Sequence, residues 1–505
     1  MGSIRARGRT GPPPARRFLF CTTSQWLIFI SAGLAVSALA WPSYSDISYW
    51  VGVTLVLMTV AALHMVVTYP FLVPFPHIAI LITGLQYVLA AWASFYYPSR
   101  NPIYNIDARL PVYLSYAGWV VVVVCLGWAL SLRGLGRNFI APASASASLL
   151  VELDVLFWIG IVCKLVSHWI GFGPLNFVLL LCADFRYLGA LGRMLVFGSG
   201  WKWRILLTLA METLFATGEA MFHSLLLWGV TVFAIYMYKY RPNKFVVASL
   251  LGLGLLTLPA LQQAKVSLRE KTWTGDATGS KLAGLGNAAS MSKEIGDGLL
   301  KSVSGDWDAD ALGDIVVRYN QGWIINRVMQ QVPSPEPYAK GGTLLAAIGA
   351  ALLPRLLAPD KIQAGGAVNM ARYAGFELGG TASMNLGYAG EMYANFGYWG
   401  GIAGCFFYAL VLGLAFRWAY RRATLYPLWW AFVPYVGLTG LKAEEGIAEV
   451  TNWLFKATIV SAAIYYAFPA IRAALSGNSR EDRGGMSGRM ATARNRLNGR
   501  RICRI

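Results

Sequence analysis

Arg318, Arg327, Arg355, Lys361 and Arg372 fall in one polar stretch, from about Gln262 to Asn395, that also holds Tyr338, Glu377 and Glu391. A guanidinium presents a planar fork of donors that matches a phosphate or diphosphate, and lysine adds a compact charge. Arg318 and Arg327 flank the amphipathic run VVRYNQGWIINRV. Nine positions make about two and a half helical turns, so on one regular helix the two would point to different sides. Two readings follow: an interfacial helix whose arginines touch lipid phosphate, or an arginine turned inward to grip a diphosphate. Downstream, PYAKGGTLLAAIGAALLPRLLAPDK begins at Pro337 and carries an apolar run of about 14 residues. That is too short to cross a bilayer and suits an interfacial or re-entrant helix, which leaves Arg355 and Lys361 at the membrane surface. Glu391, in NLGYAGEMYANFGYWGG, precedes the next apolar run. It either serves as a general base or pairs with Arg372 or Arg355.

The elements that must hold these groups are membrane spans. Hydrophobic residues are 56% of the 505 and charged residues only 13%, about half the share of a soluble globular protein. Runs of roughly 20 apolar residues, the length that crosses a bilayer, recur near 25–42, 48–69, 76–97, 112–132, 149–171, 176–197, 203–218, 220–239, 245–263, 397–418, 426–442 and 450–470. The chain is thus expected to be an all-α polytopic integral membrane protein of about twelve spans. Its divisions are a basic N-terminus (1–24), nine spans (25–263), one large extracytoplasmic insert (264–396), three spans (397–470) and a basic, disordered tail (471–505).

With the N-terminus inside, Arg133, Arg137, Arg193, Lys202, Arg204, Lys239, Arg241, Lys244, Arg417, Arg421 and Arg422 all fall on the cytoplasmic side, as positive charge in short connections should. The insert, Asp46, Asp107 and the KAEEG turn then face outward, with Arg100 and Arg109 as exceptions to the bias. The formal charge of +19 follows from this bias and from the tails, and no basic-aromatic pattern points to nucleic acid. Cys21, Cys125, Cys163, Cys182, Cys405 and Cys503 lie in or beside apolar runs or in the tails, so neither a disulfide framework nor a zinc site is expected, and no cofactor is implied.

Charged groups inside spans are costly and usually functional or mutually paired. Glu152, Asp154, Lys164, His168, Asp184, Arg186, Glu212, Glu219 and His223 qualify. Pairing of Asp184 with Arg186, or of Lys164 with a carboxylate, is the plainer expectation. Glu219 and His223 are the better binding candidates, because i,i+4 spacing puts both on one helix face.

R-x-N-Q from Arg318, PYAKGGT from Pro337, LLPRLLAPDK from Leu352 and GEMYANFGYWGG from Gly390, in that order, resemble the motifs of the bacterial O-antigen polymerase and oligosaccharide repeat-unit polymerase family, and more distantly the O-antigen ligases. The chain has Lys361-Ile362 where that family commonly has Lys-Pro, and Gly218-Glu219 where an arginine follows the Ser/Thr-Gly turn. The resemblance implies a metal-independent membrane glycosyltransferase of GT-C type in the bacterial cytoplasmic membrane, its insert periplasmic, acting on undecaprenyl-diphosphate-linked oligosaccharides alongside chain-length regulator and flippase proteins. Arg318, Arg355 and Glu391 are then the catalytic candidates, and Arg327, Tyr338, Lys361, Arg372, Glu219 and His223 the substrate-binding ones. The rival of another class is a transporter or flippase.

Overall fold

The computed structural model describes residues 17–44, 49–99, 101–106, 110–135, 146–169, 176–219, 222–250, 252–254, 257, 260–261, 293–301, 304, 309–352, 366–379 and 383–477. A hairpin of β1 (Arg17–Phe18) and β2 (Cys21–Thr22) leads into α1 (Thr23–Tyr44) and α2 (Tyr49–Thr68). The third stretch runs through α3 (Phe75–Gly84), a π-helical turn at Leu85–Leu89, and α4 (Ala90–Tyr96). Then come α5 (Leu110–Leu132), α6 (Ala147–Trp169), α7 (Asn176–Ala183), α8 (Phe185–Leu195), α9 (Trp201–Glu219) and α10 (His223–Tyr240). The insert contributes α11 (Ala309–Tyr319), α12 (Gly322–Gln331), α13 (Gly342–Leu352) and α14 (Ala367–Ala374). The chain closes with α15 (Gly387–Leu425), α16 (Trp429–Gly437) continued by a 3-10 turn at Leu438–Leu441, α17 (Ile447–Ala467) and α18 (Pro469–Ser476).

Among the described residues six stretches are long and apolar enough to cross a bilayer: Thr23–Ala40, Tyr49–Thr68, Phe75–Tyr96, Leu110–Leu132, Gly387–Leu425 and Ile447–Ala467. The chain is therefore a multi-pass membrane protein built of helices, the form in which every backbone amide finds a partner in lipid. Helices α6 and α9 lie where further spans are expected but carry Glu152, Asp154 and Lys164, and Lys202, Arg204 and Glu212, respectively. The expected span 176–197 is broken at Asp184, and 245–263 is described only in part.

Small residues bring the long helices together. An added Cβ at Gly127 of α5 would sit 3.0 Å from the Ala409 side chain of α15, and one at Gly160 of α6 would sit 2.1 Å from the Arg186 amide of α8. Without a hydrophobic driving force between helices in lipid, such close approach is what holds a bundle.

The insert packs on the bundle at two irregularities of the membrane helices. The π turn turns two carbonyls sideways, and both are used: Gln86 accepts from the Gln321 amide at 3.1 Å, and Tyr87 accepts from the Tyr113 hydroxyl. At the second, Gly397 adopts φ +69°, ψ −160° and kinks α15. Ala394 and Asn395, in the turn before it, accept at 2.9 and 3.1 Å from the amides of Ala339 and Lys340. Glycine is required there, because an added Cβ would meet the Tyr338 hydroxyl at 2.9 Å as well as carry a left-handed φ. Helix α11 packs on α4, α12 on α14 and α15, and α13 along α17. The described part of the insert is thus folded against the membrane helices, and α15 begins at Gly387 and takes Glu391 into the helix.

Candidate functional site

Where α7, α8, α10, α16 and α17 converge, a cavity of about 330 Å³ is lined by Asp184, His223, Lys442, Glu445, Glu449 and Asn452, with aromatic walls from Trp228, Tyr435 and Trp453. Asp184 occupies the break between α7 and α8, where the chain must turn between two helices. Behind it lies Arg186, 1% exposed, 3.7 Å from the Asp184 carboxylate and donating to the Ala183 carbonyl at 2.6 Å. The same guanidinium bonds Glu212 of α9, and Lys164 of α6 stands 3.8 Å from that carboxylate. The expected pairings of Asp184 with Arg186 and of Lys164 with a carboxylate are both found. They form one buried cluster of two acids and two bases, the arrangement in which charge is tolerated away from water.

The opposite wall is the turn between α16 and α17. Lys442 bonds Glu445 at 2.8 Å, and Asn385 donates to the other oxygen of Glu445 at 3.2 Å. Glu444 lies 3.4 Å from His223 at the start of α10. Glu449 and Asn452 follow on the first turns of α17, and Trp453 donates its ring N–H to the Tyr435 carbonyl at 2.9 Å. Trp228 is fixed by parallel stacking on Tyr187, centroids 3.9 Å apart.

Glu391 is next to this turn but does not line the cavity. It is 2% exposed. Its Oε2 accepts from the Ile447 amide at 2.7 Å, so it caps α17, where the orphan amides and dipole favour a carboxylate. Oε1 is buried beside Thr343. Asn395 ties this corner to the insert, donating to the Glu391 carbonyl at 2.8 Å and the Thr343 hydroxyl at 2.7 Å. Pairing of Glu391 with Arg372 is not found: Arg372 bonds Glu336 at 2.5 Å and remains 57% exposed.

The other candidates are dispersed. Arg318 ends α11 and is exposed. Arg327 is half-buried on α12, 3.5 Å from the Ile103 carbonyl, with its guanidinium near the rings of Trp323 and Phe376. The two do not share a helix, because Asn320 turns its side chain back to the Gly322 amide at 2.8 Å and separates α11 from α12. Tyr338 lies beside the Gly397 kink. Glu219 and His223 do not share one described helix either: Glu219 is the last residue of α9 and His223 the first of α10. Arg355 and Lys361 lie outside the described residues. Sequence reasoning missed Lys442, Glu445, Glu449 and Asn452 as a site, although LKAEEGIAEVTNW, four charges between two apolar runs, is the signal that marks them.

A second, apolar cavity of about 610 Å³ runs between α15, α16 and α17, lined by residues such as Phe416, Trp418, Phe432, Leu441, Leu454 and Tyr465. Leu438 lines both cavities. Compared with protein-family models, curated proteins and solved structures, the chain matches none.

Proposed function

We propose that this chain is a membrane glycosyltransferase that extends a glycan carried on a lipid diphosphate, with about twelve spans in a GT-C-like arrangement. Its insert is on the periplasmic side of a bacterial cytoplasmic membrane and both termini are cytoplasmic. The observation that carries this reading is a pair of cavities with Leu438 in the wall of both, one apolar and one lined by charged and polar side chains. A hydrocarbon chain suits the first. The second offers carboxylates and an amide to accept and donate hydroxyl hydrogen bonds, beside indole faces on which the C–H face of a sugar ring can stack. A lipid-linked sugar has both parts.

In the reaction, an acceptor hydroxyl attacks the anomeric carbon of the donor glycan. The bond from that carbon to the diphosphate breaks, its electron pair remains on the phosphate oxygen, and the hydroxyl proton passes to a carboxylate or water. Negative charge grows on the leaving oxygen, and preorganised cations stabilise it as it forms. Arg318, Arg327, Arg355 and Lys361 are the cations proposed for this, with Tyr338 and Arg372 as further binding residues; Arg318 and Arg327 lie on different helices and outside both cavities in this structure, so the clamp forms only if the insert rearranges around the substrate. Glu391 joins the catalytic set only if its buried oxygen is uncovered when substrate binds.

The test is elongation of a purified lipid-linked repeat unit by the protein in liposomes. Polymer is expected from the wild type and none from Arg318→Ala or Arg327→Ala at equal abundance; full polymer from both variants overturns the cationic clamp. A ligase would instead transfer a finished glycan to a different acceptor. The buried Lys164, Glu212, Arg186 and Asp184 cluster favours a transport reading, since ionisable groups inside membrane bundles also mark ion pathways. Gradient-driven uptake of a glycolipid without new glycosidic bonds would select it.

A further inference from the structure

More acids than bases line the polar cavity. Three carboxylates line it, Asp184, Glu445 and Glu449, against one lysine, and that lysine is already bound to Glu445. In the surrounding layer Glu212 and Glu444 add two acids, while Arg186, Lys164 and Lys456, the last 4.0 Å over the Phe177 ring, add three bases. Five carboxylates therefore face four permanent cations, and the acids are the nearer groups. His223 faces Glu444. An anion entering would be repelled, so the cavity is not where a diphosphate is held. Trp228 and Trp453 add aromatic rings to the lining, a surface that favours a cation alongside carboxylates.

We propose that this cavity is a recognition subsite for an amino sugar: a hydroxyl-rich ring with a protonated amine, held by Asp184 and Glu449, with Asn452 donating to and accepting from its hydroxyls. The assignment rests on the glycosyltransferase reading for the ligand being a sugar. About 330 Å³ is near the lower edge of ligand sites, roughly 300–1,000 Å³, so the subsite takes one small ring and leaves the rest of the glycan outside.

The experiment is saturation-transfer NMR on the full-length protein in lipid nanodiscs, with D-glucosamine, D-glucose and D-glucuronate as probes. Signal is expected in that order, strongest for glucosamine and absent for glucuronate. Glu449→Gln should weaken glucosamine roughly tenfold or more, the loss of one charge-assisted hydrogen bond, while affecting glucose less. Asp184→Asn should act alike but stands against Arg186, so Asn452→Ala serves as a second variant, and melting in detergent confirms that each is folded. Glucuronate binding as well as glucosamine, no binding by any sugar, or unchanged glucosamine binding in folded Glu449→Gln and Asn452→Ala would each overturn the assignment. Sugar binding without elongation of lipid-linked units keeps the subsite and sinks the polymerase; elongation without sugar binding does the reverse.

Discussion

The insert and the helical bundle carry their charges in opposite ways. In the insert Arg318 is exposed and Arg372, 57% exposed, holds Glu336 on the surface, whereas in the bundle Arg186 and Glu212 are 1% and 4% exposed and locked together. Exposed pairs are screened and contribute little. Buried pairs are costly to assemble but costlier to break, because removing one partner strands the other. Position is therefore fixed in the bundle and adjustable in the insert, which is what a reaction needs if one part orients a sugar and another follows a departing anion.

The sharpest way to break the comparison is Glu212→Leu. It takes the nearer carboxylate from Arg186 and the one beside Lys164, and is expected to destabilise the protein by about 3 kcal/mol, read from thermal unfolding in detergent. Adding Arg186→Met should restore only part of the loss, because Lys164 and Asp184 then lose their partners in the four-group cluster; if the double variant is as unstable as the single, Arg186 and Glu212 are not coupled. Glu391 comes next. Glu391→Ala removes the acceptor for the Ile447 amide and should cost about 1–2 kcal/mol. Glu391→Gln keeps an acceptor and should nearly match wild type in stability, so abolished elongation in this variant would mark the carboxylate itself as catalytic. The smallest effect belongs to Arg372→Ala, where loss of a surface pair should change stability by less than about 0.5 kcal/mol. Reduced elongation at unchanged melting would then place Arg372 at the substrate.

Much of the helical layout was legible in hydropathy alone. Expected runs at 48–69, 112–132 and 149–171 correspond to helices at 49–68, 110–132 and 147–169, because apolar length and helix length are the same constraint in a bilayer. The irregularities were not. Nothing local in LQYVL calls for a π turn; its released carbonyls find partners in Tyr113 and Gln321, far along the chain. Glu391 was singled out, but its partner, the Ile447 amide, is backbone and carries no signature. The polar cavity joins Asp184 to Glu449, which hydropathy treats as unrelated interruptions of two apolar runs.

The docking of the insert has one more consequence. Its contacts at Gln86, Ala394 and Asn395 are made through main-chain amides of Gln321, Ala339 and Lys340. Amides are common to every residue but proline, so these three contacts do not depend on the side chains of Gln321, Ala339 and Lys340, whereas the bonds of Asn395 to Thr343 and of Asn320 to Ser94 do depend on theirs. Those main-chain anchors can therefore persist while the side chains displayed above them change, with the helical platform beneath left as it is.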